Sequence, residues 1–122
     1  MRVTQHHPSP EPDGRRPGIA PFAIDVTTER RGTTVSVTGE LDAASSPELG
    51  DVLSAAAEVG REVALDLSGT SFIDSAGIRV IVRSMWNLQD AGSSLRLVAV
   101  SPMAENILRI TGILDVLKDP AP

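Results

Sequence analysis

From Val63 onward the spacing of apolar residues switches repeatedly between the period of a strand and that of a helix, and no other property of the chain narrows its fold as much. Val63, Leu65 and Leu67 alternate with polar partners such as Asp66 and Ser68, the period of two of a half-buried strand. From Ser75 to Asp90 the period lengthens. Ile78, Ile81, Val82, Met85, Leu88 and Gln89 gather on one side of a 100° wheel, which predicts a helix with Asp74 as its N-cap and Ala91-Gly92 as its end. Leu95 to Val100 is a continuous aliphatic run, the mark of a buried strand. Ser101-Pro102 then opens a helix through Ile107, Leu108 and Ile110 to a stop at Gly112. Gly69-Thr70-Ser71-Phe72-Ile73 reads as the connection between the third strand and its helix, and Ile113 to Leu117 as a short strand or a helical turn.

Upstream, Phe22, Ile24 and Val26 alternate with Ala23, Asp25 and Thr27, and Val35, Val37 and Leu41 lie against Thr34, Ser36, Thr38 and Glu40. Arg30-Arg31-Gly32 between them makes a hairpin. Ser46-Pro47 predicts a helix start, Ser46 as N-cap and Pro47 where its missing N–H costs nothing. Leu49, Val52, Leu53, Ala56 and Val59 follow at helical spacing, with Gly60 as the stop. The order β-β-α-β-α-β-α predicts an α/β domain over residues 22–117: a single mixed β-sheet covered by helices, with right-handed crossovers beside one antiparallel pair. Residues 1–21, rich in Pro and polar side chains, read as a disordered extension, and residues 118–122 as a C-terminal tail. With aromatics at 2%, the core has to be aliphatic.

Several functions are disfavoured by composition. The net charge of −5 without a basic stripe argues against nucleic-acid binding. No cysteine is present, and the two histidines, His6 and His7, lie in the extension, which leaves no metal site to propose. No apolar run is long enough to cross a bilayer and no signal peptide is visible, so a cytoplasmic location without membrane attachment is expected. A glycine-rich phosphate loop is missing, and no nucleotide or other cofactor is expected. A phospho-aspartate receiver would draw on Glu40, Asp42, Asp66 and Asp74, yet the single lysine, Lys118, sits at the far C-terminus. A serine hydrolase built on Ser75 lacks a nearby base, and Ile73 stands where a nucleophile elbow has its first glycine. No catalytic residue is therefore assigned and no enzymatic activity is expected. Ser75 remains as a helix cap, a solvated hydroxyl or an acceptor of phosphate.

Four segments favour the last reading. Gly39-Glu40-Leu41-Asp42, Leu65-Asp66-Leu67-Ser68, Phe72-Ile73-Asp74-Ser75-Ala76-Gly77-Ile78 and Ser101-Pro102 together resemble the STAS domain, specifically the bacterial anti-sigma factor antagonists, over roughly Phe22 to Leu117. The resemblance implies a non-enzymatic binding module. Unphosphorylated, it would bind an anti-sigma factor that is also a serine kinase and so release the sigma factor; phosphorylation of Ser75 would switch it off, and a PP2C-type phosphatase would reverse that step. Asp74, Ala76, Gly77, Arg79, Arg83, Glu40 and Asp42 would form the partner surface. The alternative is a STAS subunit of a transporter or stress-signalling assembly that binds proteins without phosphorylation. Ala76 and Arg79 depart from the family pattern, which often has Ser or Thr and Gly there.

The chemistry of a phosphate at Ser75 follows from its place in the first helical turn, where backbone N–H groups and the helix dipole favour an anion and Arg79 can reach back from one turn on. Trp86 shares that side of the helix and is read as a core-edge residue in preference to an exposed anchor.

Overall fold

Strand pairing follows chain order in the computed structural model, which describes residues 21–59 and 62–119. β1 (Ala23–Glu29) and β2 (Gly32–Leu41) form the antiparallel hairpin, with Ile24 opposite Val37 and Val26 opposite Val35. β3 (Glu62–Ile73) pairs parallel to β2, and β4 (Leu95–Val100) parallel to β3, giving one mixed sheet in the order β1-β2-β3-β4. α1 (Ser46–Val59) and α2 (Ser75–Asp90) are the two crossover helices. Right-handed crossovers that advance in one direction across a sheet leave both helices on the same face. Accordingly Val35, Val37, Leu65, Leu95 and Leu97 are buried beneath helices, whereas Thr34, Ser36 and Thr38 on the other face are half-buried and Arg96 and Val98 are exposed.

α3 (Pro102–Ile110) and α4 (Leu114–Lys118) complete the chain and pack on β3 and β4. Their Ala104, Leu108, Leu114 and Leu117 join Leu49 and Leu53 of α1 and Ile81, Met85 and Leu88 of α2 in one core. Each fully buried Leu or Ile there contributes about 1.5–3 kcal/mol relative to exposure. The core contains a single aromatic, Phe22, so aliphatic packing carries the fold.

The architecture predicted from the sequence is thus observed, with corrections inside it. Residues 69–73 are not a connector but the last part of β3, which keeps pairing with β2 as far as Ile73. Two register shifts, between Ser36 and Thr38 and between Gly39 and Glu40 on β2, hide this from a search for period two. Buried residues along β3 fall at Leu65, Leu67, Thr70 and Ile73, so the alternation stretches where extra residues are accommodated. Ser46 is the first helical residue of α1 rather than its cap, because Ser46 N already donates to Asp42 O at 2.8 Å and the chain is winding before Pro47. Of the two options for Ile113 to Leu117, the helical turn is adopted. Gln89 lies outside the buried stripe of α2, where Gly77 and Ser84 take places instead. The extension, apart from Pro21, and the Gly60 stop fall outside the described residues.

Candidate functional site

β2, β3 and β4 run in the same direction, so their C-terminal ends meet along one edge of the sheet, where open α/β sheets place their sites. Leu41 pairs with Ile73, and Asp74 N donates to Leu41 O at 3.0 Å. This pairing brings the Gly39–Asp42 segment beside the Asp74–Gly77 corner, two segments far apart in sequence. The third strand end leads through Ser101 into α3, and Ser101 Oγ donates to Thr70 O, tying that corner to β3.

The Gly39–Asp42 segment is shaped from within. Gly39 adopts φ +91°, in the left-handed region, and a Cβ there would lie 2.9 Å from backbone atoms of Phe22. Asp42 Oδ1 accepts from Ala44 N and Ser45 N, both at 3.0 Å, and from Ser45 Oγ at 3.1 Å. Ser45 Oγ also donates to Glu40 O at 2.8 Å. The Asp42 carboxylate is therefore engaged in holding the turn, a structural use like that of other Asx turns.

At the Asp74 corner the predicted cap is present. Asp74 has extended backbone, φ −99° and ψ −174°, and its Oδ1 accepts from Ala76 N at 2.8 Å and Gly77 N at 3.1 Å. Ile78 N turns back to Asp74 O at 3.0 Å. One consequence corrects the sequence-based chemistry. Two of the N–H groups expected to cradle a phosphate at this helix start, those of Ala76 and Gly77, are already taken by Asp74, so the helix end offers less to an added anion than the sequence suggests.

Gly77 also changes role. It is buried, and a Cβ on it would meet Leu41 O at 2.8 Å and Ile73 Cγ2 and Leu41 Cγ at 2.9 Å. The residue seats α2 against the end of β2. Ala76 is half-buried, as are Asp74, Glu40 and Asp42.

Ser75 stands apart from these neighbours. It is exposed, and its hydroxyl makes no hydrogen bond to any described residue, because the carboxylate beside it does the capping. Arg79 and Arg83 follow at four-residue steps and are exposed as well. Trp86, 60% exposed, continues the same side of α2, which overturns its reading as a core-edge residue. Among the described residues there is no histidine, and the adjacent carboxylate, Asp74, is spent on the cap; His6 and His7 lie outside the described residues. What the geometry offers is a free hydroxyl at the head of an exposed helical stripe.

Phe72 was not singled out from the sequence as a site residue. It is 42% exposed and pairs in register with Glu40, so an aromatic ring and a carboxylate share the sheet face opposite α1 and α2 at the site's edge. Its signal was legible in principle. In Phe72-Ile73 only one of two adjacent large apolar residues can face the core, and the β3 register gives that place to Ile73.

Comparisons with known proteins bear on the family and the fold. A sequence profile of the STAS domain family matches residues 23–120. The anti-sigma-B factor antagonist of Bacillus subtilis is 31% identical over 94 residues, which cover 77% of this chain and 86% of that protein. An anti-sigma factor antagonist from Mycobacterium paratuberculosis superposes with a TM-score of 0.70 at 23% identity, over 82% of this chain and 86% of its own. SpoIIAA, an anti-sigma factor antagonist and Bacillus cell fate determinant, is 21% identical to this chain in an unphosphorylated and in a phosphorylated form. Its unphosphorylated form gives a TM-score of 0.66 over 82% of this chain and 89% of its own. Its phosphorylated form gives 0.60 over 83% and 91%.

Proposed function

This chain belongs to the STAS domain family, and from that membership we propose that it is an anti-sigma factor antagonist whose binding to an anti-sigma factor is switched at Ser75. The observation that carries the reading is the Ser75 hydroxyl, exposed and unengaged at the first turn of α2 while Asp74 caps the helix in its place. A phosphate can be added there without removing any hydrogen bond of the fold. That SpoIIAA, of the same fold, exists in unphosphorylated and phosphorylated forms supports the compatibility.

In the proposed cycle the unmodified chain binds the anti-sigma factor and frees the sigma factor. The anti-sigma factor is also the kinase. Ser75 Oγ attacks the γ-phosphorus of ATP, the bond from that phosphorus to the bridging oxygen of the β-phosphate breaks, ADP leaves, and the hydroxyl proton passes to a base of the kinase. ATP and its metal belong to the kinase. A phosphatase of the PP2C type returns Ser75 to the hydroxyl. The chain itself acts as a binding surface and substrate, not as a catalyst.

Phosphorylation adds a charge of about −1.5 to −2. Opposite a partner carboxylate at ~4 Å, in a medium of effective dielectric ~20, each unit costs about 4 kcal/mol. That is roughly a thousandfold in affinity. Loss of binding on modification therefore needs no refolding of the domain.

The test uses the purified chain, ATP and each anti-sigma factor bearing a kinase domain that the source genome encodes. One of these is expected to place a single phosphate on Ser75, with Ser75→Ala unlabelled but still bound and Ser75→Asp bound much more weakly. Labelling at another residue, or equal loss of binding in both variants, would sink the proposal.

A further inference from the structure

The exposed side of α2 carries a charge unlike that of the molecule as a whole. The chain has a net charge of −5, yet the stripe beginning at Ser75 presents Arg79 and Arg83, then Trp86, with Asp90 only at its far end. At 100° per residue these positions fall within one narrow sector of the helix, so they form a continuous surface. Among the described residues, the ion pairs of Arg96 with Glu62 and of Glu105 with Arg109 and Lys118 engage neither arginine. Two guanidinium groups and an exposed indole suit a partner that offers carboxylates around an apolar recess.

Ser75 and Arg79 are one turn apart on this surface, the spacing at which helical side chains meet. A phosphate on Ser75 finds no free N–H groups at Ala76 or Gly77, since Asp74 Oδ1 holds both. Asp74 also sets a negative charge beside it. The cation one turn along the same face is the group left to balance the phosphate, through a charge-assisted pair.

We propose that Arg79 reads the state of Ser75. While Ser75 is unmodified, the Arg79 guanidinium pairs with an acidic group of the anti-sigma partner; when Ser75 carries phosphate, Arg79 turns back onto it and is withdrawn from the interface. This rests on the assignment of Ser75 as the phosphoacceptor. The switch then acts twice, by adding a negative charge and by removing the cation that met the partner.

The decisive experiment installs phosphoserine at position 75 by nonsense suppression, so that the pairing is measured whether or not a kinase is in hand. In a ³¹P NMR titration the second ionisation of the phosphate, near 6 when unperturbed, is expected to lie about 0.2–0.4 unit lower in the wild type than in Arg79→Ala. Arg79→Lys should recover part of the difference, and Arg83→Ala should leave the wild-type value. Identical titrations in wild type and Arg79→Ala would overturn the proposal. Against the anti-sigma partner, the unmodified Arg79→Ala protein should bind roughly 5- to 10-fold more weakly than wild type, a deficit that shrinks as salt is raised. Equal affinity at low salt would overturn the interface half of the claim. Failure of any kinase to label Ser75 would instead remove the phosphoacceptor assignment, while the titration still decides the Arg79 pairing.

Discussion

Two corners of this molecule carry a serine at the point where a parallel strand gives way to a helix, and they use it in opposite ways. At the end of β4, Ser101 Oγ accepts from Ala104 N at 3.1 Å and donates to Thr70 O, capping α3 and fastening it to β3. At the end of β3, Asp74 performs the capping with its carboxylate, and Ser75, one residue further on, is left with its hydroxyl in solvent. A hydroxyl that caps a helix is already committed to the fold. Giving the cap to a neighbouring carboxylate leaves the next hydroxyl uncommitted, at no cost to the helix.

The contrast is testable by urea denaturation of single variants. The largest effect is expected at Gly77, where the Asp74 corner is packed: Gly77→Val should cost about 3 kcal/mol, because the new side chain meets a backbone carbonyl that cannot step aside. A small loss there would mean that α2 is seated loosely. Ser101→Ala comes next, at about 2 kcal/mol, since it removes a cap and leaves Thr70 O short of a donor. Asp74→Ala should cost about 1 kcal/mol by freeing the Ala76 and Gly77 N–H groups. Ser75→Ala should change stability by less than about 0.5 kcal/mol, as for a surface position without a structural bond. If Ser75→Ala proved as costly as Ser101→Ala, the two corners would be alike and the free-hydroxyl argument would collapse.

A second contrast lies within the segments flanking Ser75. The family resemblance implies that Asp42 and Gly77 belong to the partner surface, and the structure gives each a local structural use, one in a three-donor turn and the other in a close helix-to-strand approach. Arg79, Arg83 and Trp86, which lie beyond the motif, occupy the exposed side instead. Short motifs combine residues that shape a site with residues that present it. Spacing alone does not separate the two.

The sequence by itself determined the element order as far as α3, the antiparallel hairpin at the start, the helix starts at Asp74 and Ser101, and the position of Ser75 at a helix head. All of these depend on periodicity and on the chemistry of neighbours within a few residues, which a linear reading contains. Tertiary structure decided the rest. The bulges that carry β3 to Ile73 exist because β2 holds its partner in register beyond the point where alternation fails. Gly77 is required because the end of β2 lies against α2, and Leu41 and Ile73 are 32 residues apart in the chain but paired in the sheet. Whether Trp86 was core edge or surface depended on where α1 and the sheet stopped covering α2. Contacts of that kind join distant residues, and their geometry is fixed only when the helices close over one face of the sheet.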